Sequence, residues 1–185
     1  MTARYHFLSE YSLTSDREAV WTALTAVTEW PAWWRWLTRV DVVKEATSDE
    51  GVGAIYRNHV RAPTGYGFVY STEIAEVDRL RRIDVISSGD IVGRGRFLVS
   101  DRPSGGTNVS FAWLVETPKW WMNLFAPIAR PAFTWNHDKL MTDFGRGLAK
   151  ASGGVLTSVD NTALKPGSPG FYEMPALGGW RTTPP

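Results

Sequence analysis

The chain has 185 residues, and its 20 basic and 19 acidic side chains leave a net charge of only +1, so it offers no electrostatic footprint for nucleic acid or anionic lipid. It has no cysteine, which excludes disulfides, thiolate nucleophiles and cysteine metal sites. The length suits one domain with a sizeable core.

In chain order, "YHFLSEYSL" from Tyr5 to Leu13 partly alternates apolar and polar residues and predicts a strand. The preceding "MTAR" adds no apolar run of signal-peptide type, so the expected location is cytoplasmic. The period then changes. "SDREAVWTALTAV" carries Ala19, Val20, Ala23, Leu24 and Val27 at helical spacing, and Ser15 stands three residues before Glu18 as in a capping box.

"EWPAWWRWL", Glu29 to Leu37, holds four of the ten tryptophans. Each is worth about 4–6 kcal/mol if fully withdrawn from water. Pro31 suits the first turn of a short helix and is expected to push Trp30 out of the helical region. Such a helix puts Trp30, Trp33, Trp34 and Leu37 near one side, with Trp36 off it. Three roles stay open: a core plug, a partner or membrane contact, and the rim of an apolar cavity.

After Thr38 come six strand-like segments: "RVDVVKEA", "GAIYRNHVRA", "YGFVYSTEIAEV", "RRIDVISS", "IVGRGRFLVS" and "TNVSFAWLVET". Short turn-forming linkers such as "SDEGVG" and "RPSGG" join them, which predicts an antiparallel meander. Tyr66, Phe68, Tyr70, Thr72 and Ile74 share one face of their strand, and Val109, Phe111, Trp113 and Val115 one face of the last. Tyr56, Asn58 and Val60 oppose the basic set Arg57, His59 and Arg61, so they are the expected inward set. This aromatic face needs a cover.

The segment from Lys119 to Ala151 supplies it, with Phe133, His137, Leu140, Met141, Phe144 and Leu148 as one helical stripe. Pro127 and Pro131 predict a short leading piece and a longer helix from about Pro131. The apolar run in this region is broken by Arg130 and two prolines and falls short of the roughly 18 to 20 residues a membrane span requires. Beyond Ala151 the chain is rich in Gly, Pro and small polar residues and reads as a tail, residues 152–185. Its Phe171, Tyr172, Met174, Leu177 and Trp180 suit docking on a groove of this subunit or of a second copy in a homodimer.

A strand, two helices, a six-stranded meander and a long closing helix resemble the helix-grip fold of the START-like (SRPBCC) superfamily. "VWTALTAVTEWPAWWRWLTRV", "SGDIVGRGRF", "GTNVSFAWLVE" and "ARPAFTWNHDKLMTDFGRGLA" resemble bacterial polyketide cyclase/dehydrase-like members. The resemblance implies an α+β domain over residues 1–151, with a curved antiparallel sheet around the C-terminal helix and an apolar cavity between them. It also implies that the tryptophan segment closes one end of that cavity, with Trp33 or Trp34 touching ligand.

Within such a cavity, His137 and Tyr70 are the best acid/base candidates. The ligand-binding set comprises Trp33, Trp34, Tyr56, Asn58, Phe68, Tyr70, Phe111, Trp113, Phe133, His137 and Met141. His6, His59 and His137 form no H-x-x-x-H or H-E-x-x-H pair, so neither a metal nor another cofactor is expected. Asp138 points about 100° away from His137 on a helix and makes no ready dyad. Three functions remain open: binding of a lipid, polyketide or aromatic metabolite, polyketide cyclase/dehydrase-like turnover, and protein interaction resembling that of the activator of the Hsp90 ATPase.

Overall fold

Alternation along the strands builds a sheet with one strongly apolar face. The computed structural model describes residues 3–117 and 126–165, and side chains for 4–116 and 134–165. The strands are β1 (Ala3–Leu13), β2 (Leu37–Lys44), β3 (Ile55–Arg61), β4 (Gly67–Asp78), β5 (Arg82–Gly89), β6 (Val92–Asp101), β7 (Thr107–Thr117) and β8 (Leu156–Leu164). They form one sheet in the order β2-β3-β4-β5-β6-β7-β1-β8, antiparallel throughout. The meander is the expected one.

Helix α1 (Arg17–Thr25), a 3-10 turn (Val27–Glu29), helix α2 (Trp30–Trp33) and helix α3 (Ala126–Ala151) complete the fold. The α1 N-cap is Asp16, whose carboxylate accepts the Ala19 N–H at 2.8 Å. Ser15, expected to cap, is instead buried and shares a 2.7 Å hydrogen bond with Ser152. Adjacent Ser and Asp are both good caps, and here the tertiary contact decides between them.

Trp30 also departs from expectation. It is helical, with φ −53° and ψ −38°, despite preceding Pro31. Proline only disfavours that region for its predecessor, and Trp30 recovers the cost by donating its indole N–H to Ala23 C=O at 3.2 Å and packing on Trp33, Trp34, Phe97 and Phe144. Helix α3 likewise starts at Ala126 and runs on through Pro131. Proline removes one intrahelical bond, and at this position the helix continues without it.

Residues 156–164, read as tail, form β8 on the outer side of β1. An edge strand pairs through its backbone and needs little apolar patterning, so only Leu156 and Val159 pack against the core. Asn161 ties it to α3 by donating its amide to Asp138 Oδ1 at 2.9 Å and Thr142 Oγ1 at 3.1 Å. Residues 166–185, with the Phe171, Tyr172, Met174, Leu177 and Trp180 expected to dock on a groove, lie outside the described residues.

The core lies where α1, α2 and α3 cover the concave face. It joins Tyr11, Leu13, Val20, Leu24, Trp34, Leu37, Phe97, Val109, Phe144 and Leu148, all buried. Phe144 is the hub, within 5.1–6.1 Å of the rings of Trp34, Trp30, Trp33, Tyr11 and Phe97. Gly147 lets α3 approach α2 directly, because a Cβ there would stand 2.5 Å from the Trp33 carbonyl oxygen.

Candidate functional site: an apolar cavity between sheet and helix

The inner face of the sheet and the His137 stripe of α3 do not close completely. Between them remains a cavity of about 240 Å³, slightly smaller than the roughly 300 Å³ at which small-molecule sites usually begin. Strands β3 to β7 supply one wall, with Asn58, Phe68, Tyr70, Phe97, Phe111 and Trp113, and α3 the other, with His137, Leu140, Met141 and Phe144. Trp30 and Trp34 form one end. Thr25, Asp49, Glu50 and Gly51 form the mouth. A smaller chamber of about 80 Å³ shares Phe68, Trp113, His137 and Leu140.

The aromatic lining is continuous. Phe68 and Tyr70 stack at 5.9 Å, Tyr70 meets Trp113 at 6.0 Å, Trp113 meets Phe111 at 6.2 Å, and Phe111 stacks on Phe97 at 4.2 Å. Register explains the contacts, since Phe97 pairs with Phe111 across β6–β7, and residues i and i+2 of one strand share a face.

His137 is 6% exposed, and its imidazole stacks on Phe7 with centroids 3.8 Å apart and planes 13° from parallel. Burial pushes its pKa down to about 3, so the ring is neutral near pH 7. Its buried Nε2 has no hydrogen-bond partner among the described residues. Burial also pushes the Tyr70 phenol well above its ordinary value, keeping its proton on. The Tyr70 hydroxyl makes no hydrogen bond to the described residues. Elsewhere in the lining Asn58 donates to Thr72 Oγ1 at 2.9 Å, and the Trp113 indole N–H reaches Ser87 Oγ at 3.5 Å.

Of the expected ligand-binding residues, Trp34, Tyr56, Asn58, Phe68, Tyr70, Phe111, Trp113, His137 and Met141 converge on this cavity. Trp33 does not line it, and packs instead on Phe144 and against Gly147. The side chain of Phe133 lies outside those described. Trp34 donates its indole N–H to Leu140 C=O at 2.9 Å, and Trp36 to Asp143 Oδ2 at 2.6 Å. The tryptophan segment is thus plug first, with Trp30 and Trp34 also presenting a surface to the cavity.

Sequence reasoning missed Phe7, Phe97, Ser87, Asp49 and Glu50. Phe7 and Phe97 were legible as apolar members of alternating strands. The two acids carry no signal in sequence, because only the β2–β3 turn brings them to the mouth. Among the described residues no group of three or more His, Asp or Glu side chains is arranged to hold a metal ion, and no helix is long and apolar enough to cross a membrane.

No protein-family model matches the chain, and no curated protein does. Solved structures do. The Zhui aromatase/cyclase of Streptomyces sp. R1128 is similar over 81% of this chain and 94% of its own, with a TM-score of 0.66 at 14% identity. A START superfamily protein from Mycobacterium smegmatis is similar over 78% of this chain and 95% of its own, with a TM-score of 0.63 at 14% identity. The di-domain aromatase/cyclase BexL, from the BE-7585A biosynthetic pathway, matches over 81% of this chain and half of its own, with a TM-score of 0.61 at 13% identity. The chain therefore has the START-like helix-grip fold, which polyketide aromatase/cyclases share.

Proposed function

We propose that this protein binds a small hydrophobic molecule in the cavity between the sheet and α3. The observation that carries this reading is an unfilled, aromatic-lined space beside a core that is otherwise densely packed. Packed interiors rarely leave voids larger than a water molecule. A void of this size lowers stability unless something occupies it. The Tyr70 hydroxyl, without a hydrogen bond among the described residues, supplies a directional contact that an oxygen-bearing ligand would complete. A pure protein-interaction module has no use for such a space, so the void weighs against that reading.

A polyketide cyclase/dehydrase-like enzyme is the second reading. It is favoured by the likeness to aromatase/cyclases and by a neutral imidazole and a protonated phenol lining the same cavity from opposite walls. An apolar slot would hold a chain in a reactive fold, and His137 or Tyr70 would pass a proton to or from a carbonyl.

His137→Gln separates the two. A binder is expected to lose about 1–3 kcal/mol of affinity and to have no turnover. An enzyme keeps affinity within a few fold and loses about 10²–10⁴ in turnover of a polyketide-like carbonyl substrate. We expect the binder result, and collapse of a measured turnover with binding intact overturns it.

A further inference from the structure

The cavity's chemistry narrows the class of molecule it accepts, an inference that rests on the binding reading above. Among the described residues lining both chambers there is no lysine or arginine. The formally charged groups are all acidic: Asp49 and Glu50 at the mouth of the larger chamber, and Asp90 beside the smaller. Glu45 adds to the negative character near the mouth, since it acts with burial to raise the Tyr56 pKa. Elsewhere the lining is aromatic and aliphatic, with neutral polar atoms from Asn58, Thr72, Tyr70, Ser87, Trp113 and His137.

A carboxylate entering this space would surrender its hydration without meeting a cation among the described residues, after passing two like charges at the mouth. His137 does not rescue it, since burial holds the imidazole neutral near pH 7. A hydroxyl or carbonyl oxygen loses far less on entry, and here it gains the Tyr70 O–H as a donor. The continuous ring surface from Phe68 to Phe97 favours flat, polarizable partners that stack or meet ring edges.

We propose that the cavity selects a neutral, ring-bearing molecule carrying at least one hydroxyl or carbonyl oxygen, and that Asp49 and Glu50 make the mouth a filter against carboxylates. Free fatty acids and other anionic amphiphiles are rejected, although they match the cavity in hydrophobicity.

The test uses the full chain and matched pairs of probes, 9-anthracenemethanol against 9-anthracenecarboxylate and 1-dodecanol against laurate, titrated by quenching of tryptophan fluorescence at neutral pH and by calorimetry. The neutral member of each pair is expected to bind about tenfold or more tightly than its carboxylate, the cost of desolvating an unpaired charge. The anthracene alcohol is expected to exceed dodecanol. Asp49→Asn combined with Glu50→Gln, two exposed positions outside the core, should raise carboxylate affinity relative to the alcohols and narrow the gap by about two- to threefold. Carboxylates that bind as tightly as the alcohols overturn the selectivity. Failure of all four probes, in a protein whose stability Ile74→Trp does not raise, overturns the binding reading itself and this proposal with it.

Discussion

Two buried polar sites on opposite faces of the same sheet are treated in opposite ways. On the outer face, Asp84 of β5 and Arg96 of β6 are cross-strand partners, 3% and 1% exposed, joined by paired bonds of 2.5 Å and 3.0 Å. Arg82 Nε adds a contact to Asp84 at 3.3 Å. On the inner face, His137 is almost as buried, and among the described residues neither its Nε2 nor the hydroxyl of the cavity-lining Tyr70 has a hydrogen-bond partner. In the first arrangement carboxylate and guanidinium pair with each other within the fold. The second lacks partners among the described residues, and under the proposed binding function a ligand completes it.

The comparison can be broken most forcefully at the complete site. Asp84→Ala removes the carboxylate that pairs with the buried Arg96 guanidinium and is expected to cost about 3–5 kcal/mol, read as a lowered urea midpoint. A loss below about 1 kcal/mol, the range of exposed pairs, would show that the pair does not behave as buried. At the incomplete site the expected sign is different. His137→Leu replaces an unpaired polar ring by an apolar side chain and should leave stability unchanged or raise it by about 1 kcal/mol. A loss of more than about 2 kcal/mol would mean that the fold itself satisfies His137.

The same residue predicts a pH dependence. The folded pKa of about 3 lies below the ordinary 6.5, so between these values the unfolded chain binds the extra proton. Stability attributable to His137 is therefore intact above about pH 6.5 and falls as the pH drops toward 3, by about 1 kcal/mol per unit. Carboxylates titrate in the same range, and the difference between wild type and His137→Leu isolates the histidine. Parallel stability profiles for the two proteins would contradict the assignment.

Much of this architecture was readable from period alone. The alternation of Phe68, Tyr70, Phe111 and Trp113 and the stripe of Phe133 to Leu148 placed the sheet face against α3, because two- and 3.6-residue repeats map directly onto faces. The cavity was less readable. Periodicity says that Tyr56, Asn58 and His137 point inward, but whether inward groups meet each other or a void depends on packing between elements distant in sequence. Phe7 on His137, 130 positions away, is such a case. Strand β8 was illegible for another reason: an edge strand held by backbone bonds needs no apolar repeat, and its Gly-rich lead-in resembles a linker.

The smallest expected effect sharpens the comparison at the surface. Asp16→Ala removes the α1 cap and should cost about 1 kcal/mol without changing affinity for the neutral probes, since Asp16 is exposed and lies outside the cavity lining. A change in affinity would show that α1 and the mouth are coupled.

The central claim, that the inner cavity is a binding site, is tested most directly by native mass spectrometry of protein purified gently from its own host, beside Ile74→Trp prepared identically. Ile74 lines the cavity, and a tryptophan there occupies the space a ligand would need. The account predicts a discrete added mass on the wild type, lost on mild activation and absent from Ile74→Trp. An equal adduct on both proteins, or wild type at the bare chain mass even after incubation with 9-anthracenemethanol, would contradict it.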